Sequence, residues 1–243
     1  MAKVFVEALV LGAINWGEAD KMVTLLTREQ GKCKAAAFGA RRPKSPLAAS
    51  LQLFSYVEVE LTEGARISTI RQCTIKEHFR RLSEDLETIA YGSFVAELAT
   101  ELSPEGEPQP EVFERLLLIF RAFEVRQPRI TALAAACQLL ELAGLGLRYE
   151  QCVHCGAPVN GDVFIEIEEG GLLCPSCRTE ASMPFSSAAR ELLSDMLRLS
   201  WKRDASLQVK KDALLQAEEI VLLYLKSLFG RLLRSIEFIQ QLV

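Results

Sequence analysis

Cys152-Val153-His154-Cys155 and Cys174-Pro175-Ser176-Cys177, with eighteen residues intervening, set the architecture of this chain. Two residues between cysteines make a tight turn that aims both sulfurs at one point. Two such turns, joined by a hairpin, complete a tetrahedron with Zn–S bonds of about 2.3 Å. Gly156 relieves the turn after the first knuckle and Pro175 stiffens the second. The intervening residues suit a hairpin. Val163-Phe164-Ile165-Glu166-Ile167 has strand composition, Glu168-Glu169-Gly170-Gly171 turns, and Leu172-Leu173 returns to the second knuckle. Four thiolates leave a zinc ion no open position. Cys152, Cys155, Cys174 and Cys177 therefore read as one structural Zn2+ site per chain. Two disulfides or a redox dithiol are the rival readings of the same cysteines. His154 lies inside the first knuckle and reads as an exposed bystander, because the cysteines already fill the coordination shell.

On both sides of this hairpin the hydrophobic period is helical. Ser83 has the chemistry of an N-cap, and a helix from there to Leu102 would bury Leu86, Ile89, Ala90, Phe94 and Leu98. Ser103-Pro104-Glu105-Gly106-Glu107-Pro108-Gln109-Pro110 breaks it. A second helix is predicted over 111–125, ended by Pro128, and a third over 130–143, stopped by Gly144 and Gly146. Ser186-Ser187 caps a fourth helix running to about Leu199. A last helical stretch covers about 207–242, with a bend near Gly230. The zinc unit thus interrupts a helical domain.

The first 75 residues differ. Val4–Ile14, Met22–Thr27, Lys32–Phe38, Leu53–Leu61 and Ile67–Ile75 have strand composition, and Gln30-Gly31 and Thr62-Glu63-Gly64 supply turns. Gly39-Ala40-Arg41-Arg42-Pro43-Lys44-Ser45-Pro46 reads as a loop. Short strands in this pattern predict a small barrel or sandwich.

Charge is divided along the chain. Residues 1–82 hold 13 Lys/Arg against 8 Asp/Glu, whereas the rest holds 15 against 24, giving −4 overall. A basic front on an acidic chain points to a local polyanion-binding surface. Lys32, Lys34 and Phe38 share the parity of one strand, Arg28 precedes them, and Arg41, Arg42 and Lys44 follow in the loop. Cations beside an aromatic ring on a small barrel suit a single nucleic-acid strand, with cations on phosphates and the ring on a base. The rival reading is a solvated strand with Phe38 in the core. His78, Arg80 and Arg81 at the barrel-to-helix junction read as caps of the preceding structure.

Composition and motifs exclude several classes. With 49% hydrophobic and 25% charged residues, the chain is ordinary for a globular protein. The N-terminus lacks a signal peptide's apolar core, and the most apolar run, 220–225, is too short to span a bilayer. Seven cysteines, three of them scattered singly at Cys33, Cys73 and Cys137, suit a reducing cytoplasm. There is no phosphate-binding loop, G-x-G-x-x-G, H-E-x-x-H or G-x-S-x-G motif. His78 and His154 are the only histidines, which limits acid–base catalysis. Nothing argues for an enzyme.

Phe38-Gly39-Ala40-Arg41-Arg42-Pro43-Lys44-Ser45 with Leu51-Gln52-Leu53-Phe54, and the preceding Leu26-Thr27-Arg28-Glu29-Gln30-Gly31, resemble the RecO family of bacterial DNA-repair proteins. The order of helical region, Cys-x2-Cys-Gly, Gly-Gly-x-x-Cys-x2-Cys and further helix resembles it too. Leu53 stands where that family commonly has Pro. The resemblance implies an α+β multidomain chain. An N-terminal OB-fold β-barrel over 1–80 would bind nucleic acid, and an all-α domain over 81–243 would carry the inserted four-cysteine zinc hairpin at about 149–183. It also implies a non-enzymatic recombination mediator in DNA repair. Such a protein binds single- and double-stranded DNA and anneals complementary strands. With RecR it helps load the RecA recombinase onto DNA coated by single-stranded DNA-binding protein, whose C-terminal tail it contacts. RecF is a further partner in this picture, and the bacterial cytoplasm, at the nucleoid, is the expected location. The alternative is a zinc-containing interaction adaptor with no direct DNA role.

Overall fold

A computed structural model describes residues 3–62, 64, 67–161, 163–202, 207 and 209–242. Strands β1 (Lys3–Trp16), β2 (Asp20–Thr27), β3 (Gly31–Ala37), β4 (Tyr56–Thr62) and β5 (Ser68–Glu77) close into a barrel in the order β1-β2-β3-β5-β4. All neighbours are antiparallel except β3 and β5, which run parallel. This is the OB-fold, its barrel closed by the two parallel pairs Ala35–Ser68 and Ala36–Thr69. Helix α1 (Pro46–Ser50) fills the β3–β4 connection, with Leu47 and the following Leu51 in the barrel core beside Val10, Leu25, Val57 and Ile70. The sequence pattern ends a loop at Pro46 and assigns nothing to 47–50, because five residues are too few to display a helical period. Strand β4 begins at Tyr56 rather than Leu53, since Phe54 has φ +71° and turns the chain.

Strand β1 is buried on both faces. Val6, Ala8 and Val10 point into the barrel, while Leu9 and Leu11, with Leu26 of β2, join the core of the helical half. A bulge between Val10 and Gly12 resets the alternation. Beyond it, the β1–β2 hairpin projects clear of the helices.

The helical half contains α2 (Arg80–Glu84), α3 (Leu86–Leu102), α4 (Pro110–Phe123), α5 (Pro128–Leu142), α6 (Ser187–Arg198), α7 (Lys211–Phe229) and α8 (Arg234–Gln240). Helix α5 is central and packs against α3, α4, α6 and α7. Its alanines, Ala132 and Ala134 to Ala136, are fully buried and allow close helix approach. Two details differ from the sequence pattern. The expected helix from Ser83 is two helices, because Asp85 is the N-cap: its Oδ2 accepts from the Thr88 backbone N at 2.9 Å. Leu86, expected in the core, is therefore in the first turn and 55% exposed. The long C-terminal stretch is also two helices, because Gly230 at φ +66° ends α7 in a left-handed cap. Residue 208 of that stretch lies outside the described residues.

Between α5 and α6 sits a small sheet ordered β7-β6-β8, from β6 (Val163–Glu166), β7 (Gly171–Leu173) and β8 (Met183–Phe185). The hairpin β6–β7 follows the alternation of the sequence. The third strand is only three residues long, too short for a pattern.

The barrel and helices share one apolar core. Phe54 and Phe79 both pack edge-on against Phe120 of α4. The Glu124 carboxylate, at the end of α4, accepts the backbone N–H groups of Arg80 and Arg81 and so caps α2. Gly31, at φ +71°, lies so close to the 105–107 loop that a Cβ there would stand 1.9 Å from the Glu107 carbonyl oxygen. Only glycine permits that approach.

Candidate nucleic-acid interface and metal centre

The six basic residues that the sequence singles out divide into two groups. Arg28 and Lys32 lie in the joint between the two halves. The Arg28 guanidinium lies between Glu7, at 2.9 Å, and Glu114 of α4, at 2.7 Å, and over the Phe113 ring. Its approach to Glu7 is an ion pair rather than a directed hydrogen bond. The Lys32 ammonium donates to the Thr100 carbonyl at 2.7 Å, and its own carbonyl accepts from the Gly106 N–H.

Lys34, Arg41, Arg42 and Lys44 are exposed, and among the described residues no carboxylate is within ion-pair distance of them. Lys34 projects from the outer side of β3, opposite Thr24 of β2. Arg41 closes the β1–β2 turn, donating from Nη1 to the Gly17 and Glu18 carbonyls at 3.0 and 3.1 Å. Its backbone N–H donates to the Ala19 carbonyl, and Asp20 Oδ1 accepts the Gly39 N–H at 2.7 Å. The 39–45 loop is therefore tied to the hairpin tip, and the Arg42 stem lies over Gly39.

Phe38 stands beside these cations, 54% exposed rather than in the core. Its ring contacts Trp16, itself 43% exposed, with centroids 5.9 Å apart and planes tilted by 42°. Ile14, also exposed, lies opposite Met22, which lies opposite Ala36. The β2–β3 side and the β1–β2 loop of an OB-fold are the usual place for an oligonucleotide. The strand pattern does not single out Trp16. The usable signal is an aromatic immediately before Gly17, at a turn where a core residue has nothing to pack on.

The cysteine quartet is assembled as the spacing predicts. The Sγ atoms of Cys152, Cys155, Cys174 and Cys177 all lie within 4.8 Å of one another. Each knuckle is a turn: Gly156 N–H donates to the Cys152 carbonyl at 2.8 Å and Cys177 N–H to the Cys174 carbonyl at 3.0 Å. Val153 N–H donates to the Leu172 carbonyl, which pins the first knuckle to β7. Cys155 and Cys174 sulfurs are 3.8 Å apart. That is nearly twice a disulfide bond of about 2.05 Å. It matches the edge of a tetrahedron with metal–sulfur bonds of about 2.3 Å, which is roughly 3.8 Å. The four cysteines can hold a metal ion, and His154 is exposed outside them.

Within the quartet the thiols are shifted in opposite directions. Burial opposes ionisation of Cys152, but backbone N–H groups of Cys174, Cys155 and His154 outweigh it and bring the thiol down to about 6. The neighbouring Cys174 and Cys155 sulfurs push Cys177 up to about 12. Four thiolates at this spacing need a cation among them. The scattered thiols are quiet: burial pushes Cys33 and Cys73 up to about 11 and Cys137 to about 12.

The helical half also holds an apolar cavity of about 230 Å³ between α3, α5, α7 and α8. Phe94, Leu133, Val221 and Ile236 line it, and the Arg129–Glu218 ion pair stands at its wall. Among the described residues, no helix is long and apolar enough to cross a membrane.

Two family models match the chain. A model described as Recombination protein O N terminal matches residues 1–79, and one described as Recombination protein O C terminal matches 83–237. A DNA repair protein RecO of Symbiobacterium thermophilum is 34% identical, over 100% of this chain and 98% of its own length. Those of Pelotomaculum thermopropionicum and Bacillus pumilus are 33% and 30% identical, each over 97% of this chain and 93% of their own.

Proposed function

The chain belongs to the RecO family of DNA repair proteins, and from that premise we propose a non-enzymatic mediator that binds DNA on the barrel and anneals complementary strands. The observation that carries the DNA site is the group Lys34, Arg41, Arg42 and Lys44, exposed cations of an OB-fold that no carboxylate among the described residues pairs. Arg28 and Lys32, by contrast, are spent internally. Phosphates would supply the counter-charge that Lys34, Arg42 and Lys44 lack, with Arg41, held at the hairpin turn, exposed beside them. Neutralising two backbones on one surface lowers the repulsion that keeps complementary strands apart. The ion in the cysteine quartet is zinc in this reading. It fixes the hairpin and takes no part in DNA chemistry.

Salt dependence tests the site. Replacing Lys34, Arg42 and Lys44 together by alanine is expected to weaken single-strand binding. It should also flatten the slope of log K against log[salt] by about 2, at roughly 0.7 for each phosphate no longer neutralised. Arg41 is better left intact, because it also holds the hairpin turn. An unchanged slope removes these residues from the interface.

The family premise further implies RecR and RecA as partners in loading, with RecF beside them, and contact with the C-terminal tail of single-stranded DNA-binding protein. We place that tail in the cavity beside Arg129. A chain terminus offers a carboxylate, which Arg129 would take in place of Glu218, while the apolar wall takes the last side chains. Arg129→Ala is expected to weaken binding of a labelled tail peptide by about tenfold, since it removes a charge-assisted pair and leaves Glu218 to repel the terminus. Oligonucleotide binding should not change. A peptide Kd equal to wild type would move the tail elsewhere.

A further inference from the structure

We infer that Trp16 and Phe38 form a base-stacking platform that makes the barrel select unpaired over paired strands; this rests on the DNA-binding reading above and adds what the cations do not supply.

Phosphate contacts are the same for any sequence and nearly the same for one strand or two. A stacking surface is different, because a base must leave its partner to lie on a ring. Trp16 and Phe38 are large rings left in solvent on a protein whose other described Trp, Trp201, is 9% exposed. They come from separate strands' ends, yet their rings are in contact, 5.9 Å between centroids. Their support is rigid: Arg41 and Asp20 bind the loop after Phe38 to the hairpin that carries Trp16. The contact therefore persists without a ligand. The planes are tilted by 42° rather than parallel, so the rings offer two adjacent faces at an angle. Arg42 lies over Gly39, the residue following Phe38, and Lys34 is four residues before it, so phosphate partners flank the rings.

An apolar protein ligand is the competing occupant. The surrounding charge decides against it: four cations with no carboxylate paired to them among the described residues suit a polyanion that carries rings, which describes a single nucleic-acid strand. The platform also gives annealing a direction. Once a base pairs, it is withdrawn from the rings, and the duplex product is held by phosphates alone.

The test compares a thymidine oligomer with an abasic oligomer of equal phosphate number and with duplex DNA, on the full chain. Wild type should bind the base-bearing strand at least about tenfold more tightly than the abasic one. The double variant Trp16→Ala with Phe38→Ala should remove that ratio while leaving abasic and duplex affinity within about twofold. Trp16→Phe keeps a ring and should retain most of the preference. It should also abolish the fluorescence quenching that the oligomer is expected to cause in the wild type, since buried Trp201 is the remaining indole. Equal loss on base-bearing and abasic strands, or no loss on either, overturns the platform while leaving the cation site standing. Wild type that binds no oligomer at all overturns both readings.

Discussion

Stripping the metal from the native protein with a chelator is expected to lower its thermal midpoint by roughly 10 °C or more. Metal binding at a thiolate site is worth far more than any single contact in a chain of this size, and much of it is folding free energy. The knuckles touch the main helical core through buried Cys152 and through Val153, Cys174 and Cys177 packed against it, and the strands they hold go deeper: Val163 and Ile165 of β6, Leu172 and Leu173 of β7, and Phe185 of β8 are all buried there. Release of the metal lets four sulfurs repel or reprotonate and frees the Val153–Leu172 link, so the hairpin loosens where it touches that core. The loss should therefore be smaller than the full binding free energy, because β6 and β7 retain hydrophobic anchorage. Cys155→Ser, at an exposed position, should lower bound metal and midpoint together. At a temperature where the apo-protein is still folded, the salt slope of oligonucleotide binding should not move, because the barrel cations lie outside the quartet. An unchanged midpoint after verified metal loss would refute a structural role, and a changed slope would give the site a part in binding.

Much of this was legible in the chain because two signals had long range. The cysteine spacing announces its geometry directly, since two residues between ligands admit few conformations. The switch from alternation to helical period near residue 80 marks where barrel yields to helix. The failures were local and have physical causes. Ser83 and Asp85 both carry cap chemistry two residues apart, and only the packing of α2 under Glu124 selects the second. Lys32 and Lys34 are indistinguishable by parity, yet the 105–107 loop, far away in sequence, covers one end of β3, and the Thr100 carbonyl of α3 takes the Lys32 ammonium. Arg28 is consumed by Glu114 in the same way. Which cations stay free is a tertiary property. Trp16 was illegible for the converse reason: an aromatic in a strand normally signals core, and the bulge at Val10–Gly12 that carries the hairpin into solvent has no sequence signature beyond one glycine.

The helical half is expected to depend as strongly on one buried amide. Gln138 sits in the middle of α5, almost fully buried, and all of its hydrogen-bonding capacity is used. Its Oε1 accepts from Arg115 Nη1 at 2.6 Å and Trp201 Nε1 at 2.7 Å. Its Nε2 donates to the Met196 and Leu199 carbonyls at 3.0 and 2.9 Å, where α6 ends and its last carbonyls lack helical partners. The residue thus ties α4, α5, the end of α6 and the segment leading to α7. Gln138→Leu fills the volume but strands the indole N–H and the Leu199 carbonyl; Met196 keeps the Leu199 N–H, and half-buried Arg115 can turn to water. Two orphaned groups predict a loss of about 3–4 kcal/mol, or roughly 10 °C in midpoint. A double-mutant cycle separates this network from a packing defect. On a Trp201→Phe background the indole donor is already gone, so Gln138→Leu should cost about 1–2 kcal/mol less. If the cost is the same on both backgrounds, the amide is not satisfying Trp201. If it is below about 1 kcal/mol on either, the network contributes little, and the buried alanine-lined packing of α5 holds the half together unaided.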